Sequence, residues 1–237
     1  LHGASASGDT FVVPRGAGLV DDLVAAGFDV FVFDWRASRV VTETLVDVPR
    51  ERFPSASCDD VARWDLPCAV RRIGELLVAE GSARPLGVVA HCMGAACLAM
   101  AVGAGTLEGL PVPIDRIVLS TIGLFYAVTW DGWAKVQDRL LERLAGEHPE
   151  VTLVHPRRTP WPAALESAYR LWPPTLGPHC GHESCRRLAF MFGQPYLHGR
   201  LHPAIDHAEL ERQFGAIPLQ LYRHAAQNAY RGFAAPF

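Results

Sequence analysis

Cys92 is the residue of this chain whose surroundings best suit nucleophilic chemistry. It follows the apolar run Leu86–Ala90 and precedes an alanine-rich stretch that begins at Gly94. Small residues flank it in the manner of a nucleophile elbow, G-x-S-x-G, with cysteine in place of serine. Such a turn sets the side chain at a helix N-terminus, where the dipole and free N–H groups favour a thiolate. A cysteine after a buried strand is also often a small core residue.

The first residues of the sequence have the composition of an oxyanion loop. His2 and Gly3 are followed by the small residues Ala4 and Ser5. In an elbow-type site, one backbone N–H comes from such a loop and another from the residue after the nucleophile. Backbone donors suit this task because they are fixed before charge develops on the substrate. We therefore expect the amide of Ala4 or Ser5, with that of Met93, to hold an oxyanion, although Gly/Ser clusters also form ordinary turns.

Alternating strands and helices are predicted to position these groups. Asp59 or Asp60 is the expected N-cap of the helix predicted within Val61–Ala79. The βαβαβ order indicates a parallel α/β sheet with right-handed crossovers, and ligands bind beyond the carboxyl ends of such strands. The predicted strands are Phe28–Trp35, Leu86–Ala90 and Ile114–Thr121, and the predicted helices lie within Val12–Ala26, Val61–Ala79 and Gly94–Gly103.

The sequence pattern changes to helices and Pro/His-rich loops from Tyr126 onward. No clear strand of the main sheet returns, although Val151–Val154 is a brief apolar run. The frequent aromatic residues of this half could line an apolar pocket or simply pack together. Among them, Trp130 and Trp133 are substrate-binding candidates, and His91 is expected to form a wall of the site. The predicted helices here are Gly132–Ala145, Pro162–Leu171, Ala208–Phe214 and Leu219–Tyr230, and the other aromatic residues considered are Trp161, Tyr169, Trp172, Phe190, Phe192 and Tyr196.

Composition bounds the protein class. The 237 residues are 49% hydrophobic and 20% charged, with a formal net charge of −3, as expected of a globular chain that does not bind nucleic acid. No apolar run reaches the roughly 18–20 residues that a membrane span requires. No secretory signal is visible, so the expected location is the cytoplasm, although the sequence does not begin with Met.

Three motifs together resemble the α/β-hydrolase superfamily. They are the His2-Gly3 loop, the run Phe33-Asp34-Trp35-Arg36-Ala37-Ser38, and the cysteine elbow His91-Cys92-Met93-Gly94. The elbow is similar to those of polyhydroxyalkanoate synthases and dienelactone hydrolases. The closer resemblance is to the hydrolase domain attached to cholesterol-oxidase-like (GMC) flavoproteins, whose cap resembles Arg187–Gly193 and Phe214-Gly215. The resemblance implies an α/β-hydrolase fold with a partial core at 1–125 and an inserted, mainly helical cap at 126–237.

The resemblance also implies catalytic partners that the sequence does not show. In this fold the catalytic acid and histidine follow later strands. Neither strand is evident before Phe237, so we expect an internal piece of a longer protein that lacks the first and last strands and is inactive alone. Asp131 is an alternative acid. The alternative bases are His155, His179, His182, His198, His202, His207 and His224.

The remaining cysteines suggest other chemistry. In the run His179–Cys185, two histidines and two cysteines (His179, Cys180, His182 and Cys185) could supply zinc ligands, but their spacing fits no standard zinc finger. Cys180 and Cys185 could instead form a disulfide or simply pack, and no metal is expected. Cys58, Cys68 and Cys97 are interpreted as small buried residues.

Two classes of function follow. The first is an ester or thioester hydrolase or acyltransferase with Cys92 as nucleophile and an apolar, lipid- or sterol-like acyl substrate; polyester-synthase-like acyl transfer is a variant. The second is a non-catalytic domain that binds a ligand or accompanies a flavin oxidoreductase. No cofactor is expected in this chain, and FAD would enter only through fusion to, or association with, such an oxidoreductase domain.

Overall fold

Short strands alternate with helices in the computed structural model, which describes residues 1–44, 56–82, 84–121, 125, 127, 130–148, 150–154, 158–172, 180–193 and 196–234. The strands are β1 (Leu86–His91), β2 (Ile114–Ser120), β3 (Glu150–Thr152) and β4 (Ala216–Pro218). The helices are α1 (Asp9–Val12), α2 (Leu19–Ala25), α3 (Arg39–Thr44), α4 (Cys58–Asp60), α5 (Leu66–Ala79), α6 (Met93–Gly103), α7 (Trp130–Val136), α8 (Leu140–Ala145), α9 (Ala163–Leu171), α10 (Glu183–Phe192), α11 (His207–Gln213) and α12 (Leu219–Arg231).

Strands β1 and β2 form the parallel pair that the sequence predicts. Ala90 lies opposite Leu119 and His91 opposite Ser120. Leu1 extends this pairing on the other edge of β1, because its amino group donates to the carbonyl of Val89 at 2.8 Å and its carbonyl accepts from the His91 amide at 2.9 Å. The molecule is therefore a mixed α/β protein with a small parallel sheet.

The strand predicted at Phe28–Trp35 is not formed as a strand. The segment has no ladder of hydrogen bonds in the described part of the chain. A groove of about 620 Å³, lined by residues 28–33 and by β1, explains the difference. Alternating apolar residues favour an extended backbone, but a strand also needs a neighbour that supplies the partner N–H and C=O groups.

The helix predicted at Val61–Ala79 begins earlier and is irregular. It begins with α4, passes through a π-helical segment at Val61–Asp65 and continues as α5. The predicted caps Asp59 and Asp60 are wrong, because Ser57 is the N-cap. Its hydroxyl accepts from the Asp60 amide while the Asp60 carboxylate accepts from the Ser57 amide. This reciprocal capping box gives a hydrogen-bond acceptor to two backbone N–H groups, those of Ser57 and Asp60.

The second half of the chain contains more structure than the sequence pattern indicates. Strands β3 and β4 pair antiparallel, with Val151 opposite Ile217. Sequence reasoning found the apolar run that includes β3 but missed β4, and it also missed α10. The predicted helix Gly132–Ala145 is divided into α7, a 3₁₀ turn at Gln137–Arg139 and α8. The division lies at Arg139, which adopts a left-handed conformation with φ 57°. The other predicted helices of this half are confirmed within a few residues.

The aromatic side chains of this half mainly pack against one another. The ring of Phe190 lies 5.7–5.8 Å from those of Trp161, Tyr169 and Trp172. The buried Arg187 guanidinium lies over Trp161 at 4.5 Å. One continuous set of buried apolar side chains has members on both sides of residue 125. None of the helices that the structure describes is long and apolar enough to span a membrane.

Candidate active site

Cys92 occupies a strained turn between β1 and α6. Its backbone dihedral angles are φ 54° and ψ −122°, in a region that residues with a side chain rarely adopt. The surrounding bonds hold it there: the Cys92 amide donates to the carbonyl of Ser120 at 2.9 Å, and its carbonyl accepts from Ala95 at 3.0 Å. The turn places the exposed Cys92 side chain at the N-terminus of α6, at the carboxyl end of the parallel pair.

Glycines allow the loop at residues 1–5 to pack against this turn. A Cβ added to Gly94 would lie 2.3 Å from the carbonyl oxygen of His2 and 2.8 Å from Cγ of Leu1. A Cβ added to Gly3 would lie 3.0 Å from Cβ of Cys92 and 3.5 Å from its Sγ. Any side chain at Gly94 would therefore displace the loop, and one at Gly3 would crowd the thiol.

Two backbone amides act on the Cys92 thiol. The N–H groups of Ala4 and Met93 lie close enough to its sulfur to lower the pKa of the thiol. These are two of the amides that sequence reasoning named as oxyanion donors, one from each side of the thiol. The third belongs to Ser5, whose carbonyl accepts from the Gly215 amide at 2.8 Å and whose hydroxyl donates to the Gly215 carbonyl at 3.4 Å. The loop amide that lowers the pKa of the Cys92 thiol is that of Ala4, which favours Ala4 over Ser5 as the donor from this loop.

A buried histidine–aspartate contact positions the loop. His2 is fully buried, with Nε2 3.2 Å from Oδ1 of Asp34 and Nδ1 2.8 Å from the Gly3 carbonyl. Its ring stacks on Trp35, whose indole N–H donates to the His2 carbonyl at 3.3 Å. Burial raises the pKa of Asp34, but the nearby His2 imidazole and the hydrogen bonds from Ser38 and the Gly8 amide outweigh it and hold the pKa below its ordinary value. Sequence reasoning used Asp34 and Trp35 for the resemblance but gave His2 no partner.

The pKa shift of Cys92 differs from the expectation. Although the Cys92 residue is exposed as a whole, the groups packed around its sulfur remove water and raise the pKa of the thiol above the ordinary value, and the N–H groups of Met93 and Ala4 oppose this effect without cancelling it. Loss of water around the sulfur outweighs the donors because neutral amides compensate only part of the hydration of a thiolate. Burial of the sulfur thus opposes the stabilised thiolate that the sequence pattern predicts.

His91 lies beside the site as part of its wall. It is half-buried, and its Nδ1 is 3.2 Å from the hydroxyl of Ser120. A Cβ on Gly3 would lie 3.7 Å from Cδ2 of His91, which places the ring next to the loop. Burial of the ring lowers the pKa of His91, and the positive charge of the nearby Leu1 amino group lowers it further. The imidazole is thus neutral at pH 7 and does not hydrogen-bond to Cys92.

The two tryptophans proposed as substrate-binding residues lie on α7. Trp130 is 71% exposed, and the ring of Trp133 packs against Tyr230 of α12 at 4.4 Å. The contacts described for these rings do not join them to Cys92, so their substrate-binding role remains a prediction.

The alternative catalytic partners do not hydrogen-bond to Cys92 in the described part of the chain. The side chains of Asp131, His155, His179 and His198 lie outside the described residues. Those of His182, His202, His207 and His224 are described, and the contacts given for them are with residues other than Cys92. A base for Cys92 is therefore not assigned.

A buried sulfur cluster that sequence reasoning did not assemble lies beneath the Cys92 turn. The Cys58 thiol hydrogen-bonds to Cys97 and lies 3.4 Å from Sδ of Met93, and the Cys58 amide donates to Nδ1 of the buried His224 at 3.2 Å. The Cys97 thiol has the largest effect and lowers the pKa of Cys58. Burial raises this pKa, and His224 lowers it further, so that the pKa lies below its ordinary value. Cys58 and Cys97 are buried as expected, whereas Cys68 is exposed. Its position faces away from the buried face of α5, which carries Leu66 and Val70.

Comparison of the chain with protein-family models, curated proteins and solved structures gives no significant match. The geometry around Cys92 therefore carries the functional argument, with the motif resemblance beside it.

Proposed function

We propose that this chain performs acyl transfer through Cys92, as a hydrolase or acyltransferase of the α/β-hydrolase type. The observation that carries the proposal is the geometry of the turn. Cys92 is held at φ 54° and ψ −122° between β1 and α6, and the N–H groups of Ala4 and Met93 lie close enough to its sulfur to lower the pKa of the thiol. A strained turn that raises a nucleophile beside two backbone donors is the arrangement that acyl transfer requires.

The reaction proceeds in two steps at this sulfur. The thiol of Cys92 loses its proton to water, and the thiolate attacks the carbonyl carbon of an ester or thioester, forming a C–S bond and placing negative charge on the carbonyl oxygen. The amides of Ala4 and Met93 donate to that oxygen. Collapse re-forms the carbonyl and breaks the bond to the alcohol or thiol, which takes a proton from water and leaves an acyl-enzyme. Water or another alcohol then attacks the acyl carbon, the C–S bond breaks, a carboxylic acid or a new ester is released, and the sulfur regains a proton.

The loop geometry supports a preorganised donor pair. The contact between His2 and Asp34 fixes one end of the loop, and the bonds between Ser5 and Gly215 fix the other. Ala4, between these anchors, is buried. Donors held on both sides do not need to reorganise when charge develops, and this is the source of their catalytic effect.

The acyl group is proposed to be apolar, lipid- or sterol-like, on the strength of the sequence resemblance. The same resemblance supports fusion to, or association with, an FAD-containing oxidoreductase domain. Polyester-synthase-like transfer from an acyl thioester is a variant of the same chemistry. It would show itself by accepting thioesters and extending a polymer.

The test is a burst assay with p-nitrophenyl esters of increasing acyl length. Because no base for Cys92 is assigned, the assay follows only the first acylation and not turnover. We expect a burst of about one p-nitrophenol per chain whose rate increases with pH, since the Cys92 thiol must first ionise. Cys92→Ala abolishes the burst. Cys68→Ala is the matched control, since Cys68 is also exposed but lies on α5, and it leaves the burst unchanged. A burst that persists in Cys92→Ala would refute the proposal.

One alternative is a non-catalytic domain that retains the fold. The raised pKa of Cys92 favours it, and so does the absence of a hydrogen bond between an imidazole and Cys92 among the described residues. Such a domain would bind the ester without releasing p-nitrophenol. The same assay separates the two proposals when binding of the ester is followed in parallel by quenching of tryptophan fluorescence.

A further inference from the structure

Two cysteines and a histidine form a second chemical cluster, remote in sequence from Cys92. Cys180 precedes α10, Cys185 lies in the first turn of α10, and His207 is the first residue of α11. One ligand atom from each of the three lies within 4.8 Å of the others, and Sγ of Cys180 is 3.3 Å from Nε2 of His207. The fold thus brings together donors that are up to 27 residues apart.

The distances match those of a tetrahedral zinc site. Zn–S bonds of about 2.3 Å and Zn–N bonds of about 2.0–2.1 Å place neighbouring donors roughly 3.5–3.8 Å apart. The separation between Cys180 and His207 is already close to that range, and the remaining separations require small inward movements. Two thiolates and an imidazole are the ligand set that zinc prefers among common divalent metals.

The surroundings of the three donors are those of a metal site. The His182 amide donates to Sγ of Cys180 at 3.4 Å, and the Tyr196 hydroxyl donates to Sγ of Cys185 at 3.4 Å. Such donors stabilise metal-bound thiolates and fix their orientation. The ring of His182 stacks on that of His207, with centroids 4.2 Å apart and an angle of 14° between the planes.

An independent observation at His182 points to a ligand at this place. Nδ1 of His182 is buried and has no hydrogen-bond partner among the described residues. Buried polar atoms in folded proteins nearly always have a partner, and an atom that has none often marks a place where an ion binds.

We propose that Cys180, Cys185 and His207 bind a structural Zn²⁺ that joins the N-termini of α10 and α11. The site is independent of the function proposed for Cys92. Its effect is mechanical: α10 carries Leu188 and Phe190 into the core, and the metal fixes the start of this helix to a segment far along the chain. A ligand set that exists only in the folded chain converts metal affinity into folding stability.

The test measures zinc in the chain purified without a histidine tag from zinc-supplemented cells. We expect about one zinc per chain after gel filtration, and at least tenfold less in Cys185→Ser and His207→Ala. The matched controls are Cys68→Ser and His202→Ala, exposed residues outside the cluster, and both retain the metal.

Two further measurements keep the proposal testable if the variants fold poorly. Cobalt added to the metal-free wild-type chain produces a thiolate-to-cobalt charge-transfer band and tetrahedral d–d absorption, and a chelator lowers the melting temperature of the wild-type chain. Absence of zinc together with absence of the cobalt bands would overturn the proposal. A disulfide between Cys180 and Cys185 in freshly purified, unreduced protein would also overturn it.

Discussion

Replacement of Gly94 by alanine tests whether close packing of the loop on α6 creates the site. The added Cβ would lie 2.3 Å from the carbonyl oxygen of His2, whereas an unstrained C···O contact is about 3.3 Å. The loop must therefore retreat by about 1 Å and carry the Ala4 amide with it. A misplacement of this size costs roughly 100-fold in rate when it affects groups that bind the transition state.

The stability effect of this change can be separated from helix propensity. Overpacking costs about 1–3 kcal/mol, while replacement of a helical glycine by alanine gains up to about 1 kcal/mol. Gly103 is the matched control because it lies in the same helix and a Cβ there meets nothing within 4 Å. Subtracting the free energy of unfolding of Gly103→Ala from that of Gly94→Ala removes most of the propensity effect and leaves the clash, so we expect the difference to be about −1 to −3 kcal/mol.

Urea unfolding and the p-nitrophenyl ester burst, measured on the same preparations, provide both readouts. We expect Gly94→Ala to acylate about 100-fold more slowly than wild type, and Gly103→Ala to match wild type. The reasoning would be refuted if Gly94→Ala unfolded at the same urea concentration as Gly103→Ala and acylated at the wild-type rate.

Three further outcomes follow from the charges. The lowered pKa of Asp34 contributes stability that is complete above the ordinary aspartate pKa and is lost as the pH falls through the pKa of the folded state. Asp34→Asn should therefore weaken the fall of the urea midpoint between pH 7 and about pH 3. A fall as steep as that of the wild type would contradict this. Arg187→Met should lower the free energy of unfolding by about 2–3 kcal/mol, because it removes a buried partner of Glu166. Arg170→Met removes an exposed partner of the same carboxylate and should lower it by under about 0.5 kcal/mol. Equal losses in urea unfolding would show that burial does not decide the effect. Alkylation of Cys92 by iodoacetamide, followed by peptide mapping, should have its pH midpoint above that of glutathione, and a midpoint below it would indicate a stabilised thiolate.

The sequence predicts the Cys92 turn well because the turn is a local feature. Only small residues fit around such a strand-to-helix reversal, and that requirement is visible in consecutive letters. The close approach of the loop at residues 1–5 to α6 is a long-range contact, which the sequence indicated only through the motif resemblance and which the glycine at 94 permits. The choice between Ala4 and Ser5 was left open, since it depends on how the loop packs against Cys92 in three dimensions.

Features that depend on distant partners were not predicted. Phe28–Trp35 has the composition of a strand, but strand formation depends on a neighbouring segment that periodicity does not reveal. Strand β4 is three residues long, too short to give an alternating pattern. His207 was considered as a base, and its place beside Cys180 comes from the packing of α11 against α10.

The sign of the pKa shift of the Cys92 thiol could also not be predicted without the structure. The pattern around Cys92 indicated a helix N-terminus and two donors, both of which favour the thiolate. The degree of desolvation, which reverses the sign of the pKa shift, is set by the residues that surround the sulfur in three dimensions.

The acyl-enzyme itself provides the most direct test of the central claim. The chain is incubated with an activated ester at a pH above the thiol midpoint, quenched in acid, and examined by intact mass and peptide mapping. The account requires one acyl group per chain, attached to Cys92, and none in Cys92→Ala. Acylation spread equally over Cys68 and Cys92, or an unmodified Cys92 while the ester is consumed, would contradict it.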